Sequence, residues 1–589
     1  MQSLKQHLST LISKSLSEAS AVADSNANVI TASKPEFGDY QANGVMATAK
    51  QLRTNPRQLA QKVAALISAT EDELIERVEI AGPGFINIHL DKAELLRRAE
   101  LVQLQPQALI PKSTEALSIV VDYSSPNLAK EMHVGHLRGT IIGDCLARIL
   151  ERQGHKVIRQ NHVGDWGTQF GMLIAYMKEI EQAGQRKTQQ GKAFGDLSSQ
   201  LSDLETFYRA ARTRFDADPV FAETSRQSVV KLQGGDPEYR QIWQQFIEES
   251  LRHCQSVYDR LHITLRREDL KAESFYNNEL GNIVTALEEK NLLSLSAGAQ
   301  CVFLPEFIGK EGEPLPVIIR KSDGGYLYAT TDLAAVQYRS FTLHADRSLY
   351  VVDARQSLHF QQVFAVAKAA GLASAHISLE HIAYGTMMGK DGKPFQTRSG
   401  DTIKLVELLD EAVRRAFDLV SEKNPELEEE GRRAIADKVG IAAVKYADLS
   451  KNRSSDYIFD WSTMLSFEGN TAPYLMYAYA RIKSILRKQD AALEAYRITT
   501  IDSQEERSLL IKILQLPEII DSVAADCYPN LLCNYLYELA GHFMRFYETC
   551  PILKAETTLK NSRLSLAALT ADTLQQGLDL LGIETLEQM

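Results

Sequence analysis

The chain has 589 residues, room for about four domains at roughly 150 residues each. A composition that is 44% hydrophobic and 24% charged is that of a globular protein with ample core. No apolar run nears the roughly 20 residues that span a bilayer, which excludes a helical membrane protein. A net charge of −11 excludes a uniformly basic nucleic-acid binder, so any RNA contact must be regional.

Met1 to Ser17 carries Leu4, Leu8, Leu11, Ile12 and Leu16 at helical spacing, with Lys5 and Lys14 between them. Arginine and a clear cleavage pattern are missing there, so a folded amphipathic helix is expected rather than a transit peptide. A helical stretch from Asn55 to Ala69 leads into strand-like Gly84 to Leu90. A Leu/Gln-rich joint with Pro106 and Pro111 then closes a small α/β module over residues 1–110.

Beyond this joint the pattern alternates as a parallel sheet requires. Leu117 to Tyr123 reads as a buried strand. Gly135 to Gln153 reads as a helix with Leu137, Ile141, Cys145 and Ile149 on one stripe, stopped by Gly154. Val157 to Gln160 resumes as a strand. A second half follows downstream: helix Leu333 to Tyr338, strand Ser348 to Val352, helix Leu358 to Ala370 and strand His376 to Tyr384. The halves form a Rossmann-like parallel-sheet domain over 111–405, split by an insertion at about 172–315. That insertion is mostly charged helix from Met172 to about Leu261, then a mixed stretch containing Cys301 to Leu304 and Val317 to Ile319. From Leu405 to Met589 helix follows helix with no convincing strand, which predicts a C-terminal helical bundle over 406–589. The fold class is therefore α/β plus all-α.

The six cysteines, Cys145, Cys254, Cys301, Cys527, Cys533 and Cys550, form no Cys-x-x-Cys pair. Neither structural zinc nor a secreted disulfide scaffold is expected, and a reducing cytoplasm fits.

The segment from Asp122 to His136 carries the most chemistry. It lies beyond the carboxyl end of the first sheet strand and opens a helix, where open α/β sheets bind ligands and helix amino ends favour phosphate. His133 and His136, straddling Gly135, can aim imidazole donors at one anion, and Gly135 lets a flat base approach the backbone. Donors around a phosphate are a sufficient kit for nucleotidyl transfer. On residues alone, a His-x-x-His pair is also read as a surface pair or as half of a zinc site.

His133-Val134-Gly135-His136 resembles the His-Ile-Gly-His signature of class I aminoacyl-tRNA synthetases. The longer strings Ser124 to Asp144 and Asn161 to Gly171 resemble the arginyl-specific branch of that family. The resemblance implies an arginine–tRNA ligase. It would activate arginine with ATP, accompanied by Mg2+, and pass the arginyl group to the 3′-terminal ribose of tRNA(Arg). It implies that His133 and His136 stabilise charge on the ATP phosphates, with Gly135 in the nucleotide site.

In this family a Lys-Met-Ser-Lys loop follows the second Rossmann half. Here the corresponding stretch is Gly389 to Gly400, with Lys393-Pro394-Phe395-Gln396 at the aligned block, so the first lysine is kept and the second is Gln396. Lys393, Lys390, Arg398 and Lys130 are the candidate cations for the phosphate clamp, in that order. A polar Gly-rich loop suits closure on a ligand.

A guanidinium is planar and permanently charged, so a selective pocket needs carboxylates that accept paired hydrogen bonds. Tyr328-Ala329-Thr330-Thr331-Asp332 is similar to the family's amino-acid-binding segment. The resemblance implies that Asp332 faces the guanidinium, that Tyr328 covers it and that Asp122 is a second carboxylate. Ser125, Asn127, His136 and Gln356 would hold the α-amino and carboxylate groups. Without the resemblance, Asp332 reads as a helix N-terminal carboxylate.

Ser466 to Lys483, with interleaved aromatics and cations, resembles the family's helical anticodon-binding domain, as does Leu580 to Met589. Stacking on such rings suits exposed bases, although most such tyrosines pack in bundle cores. Lys34 to Gln41, within 1–110, resembles the family's additional amino-terminal domain, which touches the tRNA elbow. The family expectation is a monomer without a membrane partner. Intact His133, His136 and Asp332 separate the chain from a non-catalytic relative. The helical tail separates it from a small-molecule ligase built on the same signature.

Overall fold

The computed structural model describes residues 2–189, 204–395, 403–488 and 497–589. They fall into two compact units.

The first unit joins Met1–Ser113 to Ser466–Leu580 and Glu584–Met589. Its opening helix α1 (Leu4–Ser20) starts at Ser3, whose hydroxyl accepts the Gln6 N–H at 3.1 Å. Leu4, Leu8, Ile12 and Leu16, four of the stripe expected from periodicity, are fully buried. Strands β1 (Val29–Thr31), β2 (Tyr40–Ala42), β3 (Ile75–Ala81) and β4 (Phe85–Leu90) form an antiparallel sheet in the order β1-β2-β4-β3. Helices α2 (Gly44–Leu52), α3 (Pro56–Ala69) and α4 (Lys92–Leu104) complete this module.

The second unit, Thr114–Leu465 with Leu581–Ile583, holds the parallel sheet. Strand β5 (Ser118–Asp122), helix α5 (Leu137–Arg152) and strand β6 (Lys156–Gln160) make the expected βαβ unit. The approach of helix to strand is set by Gly143, where an added Cβ would lie 2.2 Å from the Tyr123 Cβ. Helices α6 (Thr168–Gln189), α7 (Leu204–Ala217), α8 (Pro219–Gln233), α9 (Pro237–Arg260) and α10 (Leu280–Glu289) follow. The stretch read as mixed is a three-stranded antiparallel sheet of β7 (Leu293–Ser296), β8 (Ala299–Ile308) and β9 (Pro314–Arg320). Helix α11 (Tyr328–Gln337), strand β10 (Arg347–Tyr350), helix α12 (Ser357–Ala370) and strand β11 (Ser378–His381) supply the second half.

The parallel sheet has the order β11-β10-β5-β6. The chain leaves β5 towards β6 on one side, and leaves β10 towards β11 on the other. The strand order therefore reverses between β5 and β10, where Tyr350 pairs with Asp122. A crevice outside the carboxyl ends of two such strands is the usual ligand site of an open α/β sheet.

Two expectations for the region after Leu405 change. Helices α13 (Leu405–Lys423) and α14 (Glu429–Leu449) pack within the parallel-sheet unit. A short strand is also present: β13 (Tyr457–Ile458) pairs in parallel with β12 (Met387–Met388), a ladder too brief to show as alternation in sequence. The tail helices of the first unit are α15 (Ala472–Arg487), α16 (Gln504–Leu514), α17 (Leu516–Asp526), α18 (Asn530–Thr549) and α19 (Thr557–Leu580).

Candidate active site

The backbone after β5 turns sharply, with Ser124 at φ +69° and Ser125 at φ +45°. Left-handed conformations at non-glycine residues cost on the order of 1–3 kcal/mol each and persist only where the surroundings hold them. Here Ser125 N–H donates to Asn161 Oδ1 at 2.9 Å, and the Ser124 hydroxyl shares a hydrogen bond with Tyr258 at 2.7 Å. Asn161 Nδ2 donates to the same Tyr258 oxygen at 3.1 Å. Asn127 next uses Oδ1 to accept the Ala129 N–H at 3.1 Å, so this side chain shapes the turn.

The rings of His133 and His136 then lie with centroids 4.0 Å apart, tilted by 39°. Gly135 N–H donates to His133 Nδ1, and His133 N–H donates to His136 Nδ1, each at 3.1 Å. A ring nitrogen that accepts cannot carry the proton, so each neutral imidazole presents Nε2–H. Burial, aided by Lys130 and Arg355, lowers the His133 pKa, and burial beside His133 lowers that of His136 to about 3. Both rings are therefore neutral donors at pH 7. Thr140 Oγ1 donates to the His136 carbonyl at 2.7 Å and shares a hydrogen bond with Ser124 Oγ at 2.9 Å, tying the pair to the turn. Gly135 is exposed, with His133 on one side.

Asp122 is buried, and its Oδ2 accepts from the Arg339 guanidinium at 2.7 Å while Oδ1 accepts from Ser125 Oγ at 3.0 Å. Arg339 is itself fully buried and also donates to Gln160 Oε1 at 2.7 Å. Asp122 thus meets an internal guanidinium with one oxygen and the Ser125 hydroxyl with the other.

Asp332 lies on α11, one turn beyond Tyr328, so the two share a helix face. His359 Nε2 is 2.6 Å from Asp332 Oδ2, and His162 Nε2 is 3.9 Å from Oδ1. The backbone N–H of His162 donates to Ser125 Oγ at 3.1 Å. A chain of contacts therefore runs Asp122–Ser125–His162–Asp332–His359, placing both predicted acids at one crevice. Buried His162 Nδ1 and Tyr276 Oη have no hydrogen-bond partner among the described residues.

Glu273 was missed in the sequence. It sits at the start of a 3-10 turn, Glu273–Tyr276, and its N–H donates to the Val163 carbonyl at 3.1 Å. Burial, then Asp165 and Asp332, push its carboxyl up to about 8, and burial followed by the charge of Glu273 raises the Tyr328 phenol. Asp165 is bound by the Ser274 hydroxyl at 2.5 Å and the Ser274 N–H at 2.9 Å. Glu273 thus lies near enough to Asp332 and to Tyr328 for their charges to interact, and no sequence spacing announces it.

The cations are dispersed. Lys130 lies over the Tyr208 ring at 4.3 Å. Lys390 pairs with Asp460 at 2.5 Å, and Phe395 packs on Phe459 with centroids 4.9 Å apart. The exposed Lys393 tips the same turn, in which Gly389 N–H donates to the Lys393 carbonyl at 2.7 Å. Gln396 and Arg398 lie outside the described residues. The chain re-enters description at Ile403, whose carbonyl accepts the Val134 N–H at 3.1 Å beside the histidine pair. Gln356 is exposed at the end of the turn that follows β10.

A histidine turn at the reversal point of a parallel sheet, with a basic loop after its second half, is the architecture of the class I aminoacyl-tRNA synthetases. A family model described as "tRNA synthetases class I (R), catalytic domain" matches residues 100–461. Models described as "Arginyl tRNA synthetase N terminal domain" and "DALR anticodon binding domain" match residues 6–90 and 475–589. The chain belongs to the arginyl-tRNA synthetase family of class I. It is 56% identical to the arginine–tRNA ligase of Laribacter hongkongensis over 571 residues, which cover 97% of each chain. It is 54% identical to that of Hahella chejuensis over the full length of both. Among solved structures it resembles the arginyl-tRNA synthetase of Plasmodium falciparum, with a TM-score of 0.84 and 28% identity. The Thermus thermophilus arginyl-tRNA synthetase gives 0.78 and 25%, and each comparison covers all of both chains.

Proposed function

We infer that this chain is an arginine–tRNA ligase that joins arginine to ATP as arginyl-adenylate and then charges tRNA(Arg). The observation that carries this reading is the run of contacts joining the turn that precedes the histidine pair to Asp332 through Ser125 and His162, with Glu273 near enough to Asp332 and Tyr328 for their charges to interact. Two acids and a ring suit a flat monocation. Neutral Nε2–H donors suit a polyphosphate.

The assigned roles follow from that layout. Asp332 accepts the guanidinium, Glu273 supports it and Tyr328 covers its face. Asp122, whose Oδ2 also holds Arg339, is the second carboxylate. Ser125, Asn127 and Gln356 orient the α-amino and carboxylate groups. His133 and His136 donate to the α- and β-phosphates, with the nucleotide against Gly135. A carboxylate oxygen of arginine attacks the α-phosphorus in line, the bond to the bridging oxygen breaks and pyrophosphate leaves. The 3′-terminal ribose hydroxyl of tRNA then takes the arginyl group, releasing AMP. No side chain becomes a covalent nucleophile.

Among the described residues no cluster of His, Cys, Asp or Glu is arranged to hold a metal ion. We assign Mg2+ to the substrate, arriving on the ATP phosphates. Lys393, Lys390, Arg398 and Lys130 remain our candidates for the loop side of the phosphate clamp.

Residues 1–110 are assigned to the tRNA elbow, 111–405 to catalysis and the helical tail within 406–589 to the anticodon. A cytoplasmic monomer fits this reading, and among the described residues no helix is long and apolar enough to cross a membrane. The test is ATP–pyrophosphate exchange and aminoacylation with tRNA(Arg) and each standard amino acid in turn. Arginine alone should support both, and exchange with another amino acid at comparable rate would overturn the assignment.

A further inference from the structure

Helix α11, which carries Tyr328 and Asp332, does not end as a regular helix. It runs into a π-turn, Tyr338–Thr342, closed by the Leu343 N–H donating to the Tyr338 carbonyl at 3.0 Å. Such turns are frequent at functional sites. This one carries Arg339, two helical turns beyond Asp332.

Arg339 gathers the carboxyl ends of three strands. Tyr350, Asp122 and Gln160 are the last residues of β10, β5 and β6 and stand in register across the strand reversal, so their side chains share one face of the sheet. Nη2 donates to Asp122 Oδ2 and Nε to Gln160 Oε1, each at 2.7 Å. The guanidinium lies 4.6 Å from the centre of the Tyr350 ring.

As a purely structural tie this cluster is a poor bargain. A buried ion pair adds little net stability, because desolvation of both charges offsets their attraction. Arg339 Nη1, Gln160 Nε2 and the Tyr350 hydroxyl, moreover, have no hydrogen-bond partner among the described residues. Buried polar groups in that condition cost stability.

Exposure separates the two charges. The Arg339 side chain is 0% exposed and cannot reach a ligand, whereas Asp122 keeps 8% of its side chain open. The contacts around them close into a ring. Asp122 Oδ1 accepts from Ser125 Oγ, which accepts the His162 N–H at 3.1 Å, and His162 Nε2 lies 3.9 Å from Asp332. The ring starts and ends on one helical run, with Asp332 on α11 and Arg339 on its π-turn.

We propose that Arg339 is a positioning residue for arginine recognition: it fixes the Asp122 carboxylate relative to Asp332, so that the two acids meet one planar guanidinium together. This deepens the arginine–tRNA ligase reading and rests on it, with Asp122 as the second carboxylate. Arg339 touches neither arginine nor ATP and acts on binding through Asp122. Its planar fork spans Asp122 and Gln160 at once, a geometry that the single ammonium of a lysine does not reproduce.

The test is a cycle of Arg339→Lys, Asp122→Asn and the double variant, with tRNA(Arg) bound, read by ATP–pyrophosphate exchange. A hydrogen bond to a charged group is worth about tenfold to a hundredfold in affinity. Arg339→Lys should raise the KM for arginine by that factor and leave the KM for ATP within about twofold. Asp122→Asn should raise the arginine KM similarly. Because Arg339 acts through Asp122, the double variant should be within about twofold of Asp122→Asn alone. Losses that multiply in the double variant, or an ATP KM that rises with the arginine KM, mark a structural role and would overturn the proposal. An unchanged arginine KM in Arg339→Lys would overturn it as well. Should Arg339→Lys fail to fold, Gln160→Met decides, since it loosens the guanidinium and keeps both charges. It should raise the arginine KM by about twofold to tenfold with ATP unaffected, and no rise would again sink the idea. An unchanged arginine KM in Asp122→Asn would refute Asp122 as a substrate carboxylate and the proposal with it. Absence of arginine-dependent exchange in the unaltered chain would instead refute the ligase reading itself.

Discussion

An empty pocket lined with acids must shed charge, and Glu273 is where that happens. With its carboxyl raised to about 8 by burial and by Asp165 and Asp332, it carries a proton at neutral pH. An arriving guanidinium reverses the balance and favours the carboxylate. Arginine binding should therefore release a proton below pH 8 and tighten as pH rises from 6 to 8, approaching about tenfold per pH unit. Calorimetric titrations in two buffers of different ionisation enthalpy measure the proton count. A count near zero at pH 7, or an unchanged count in Glu273→Gln, would exclude this residue as the linked group. Asp332→Ala should cost about 10²–10³-fold in kcat/KM for arginine, the penalty of leaving a buried charge unpartnered. Its tRNA affinity, read by filter binding, should stay near that of the unaltered chain. At this scale Asp332, Tyr328, His133 and His136 were legible because their motifs are local. The pairing of Asp122 with Arg339 was not legible because the two lie 217 residues apart, and Glu273 was missed because it lies within the insertion, away from any motif.

Secondary elements position these residues through close contacts that leave little slack. Helix α5 approaches β5 so nearly at Gly143 that a methyl group has no room beside Tyr123. Gly143→Ala should destabilise the parallel-sheet unit by about 1–3 kcal/mol, the usual cost of overpacking, seen as a lowered melting temperature. An unchanged melt would mean that α5 can shift at no cost. The helix–strand alternation of this region was readable from periodicity, with most ends within about two residues, the usual latitude of boundaries, although the helix read from Leu333 begins at Tyr328 and the strand read to Tyr384 ends at His381. The sheet of β7, β8 and β9 was not resolved. Its strands expose Leu295, Phe303, Ile308 and Ile318, and their partly apolar outer faces blur the alternation that signals a strand.

Over the whole molecule, the least expected result is that residues 1–113 and 466–580 build one unit. Periodicity reports faces, not which distant face covers which. The two segments meet at Glu518, whose carboxylate accepts the Tyr40 hydroxyl at 2.5 Å and the Lys5 N–H at 2.9 Å. Arg507 adds a guanidinium bound to Asp39 and to the Leu90 carbonyl, each at 2.7 Å. Removal of residues 1–113 should therefore loosen α16 and α17 well beyond the cut, measured as faster amide exchange there. Unaltered protection would show that the tail stands by itself. Burial raises the Glu518 carboxyl from its ordinary 4.5 to about 7. The folded form then holds a proton that the unfolded chain has lost, so this group's contribution is complete below pH 4.5 and fades as pH rises through 7. Thermal melts of Glu518→Gln should lack that component of the decline between pH 5 and 8. An identical slope in the two proteins would rule it out.

This joint also bears on biosynthesis. On a translating ribosome the first module emerges several hundred residues ahead of the helices that cover Tyr40 and Lys5. At about 5–20 residues per second the gap lasts on the order of tens of seconds. Throughout that interval the nascent module displays an unfinished apolar flank, a natural foothold for chaperones and a window for degradation that closes only when the tail arrives.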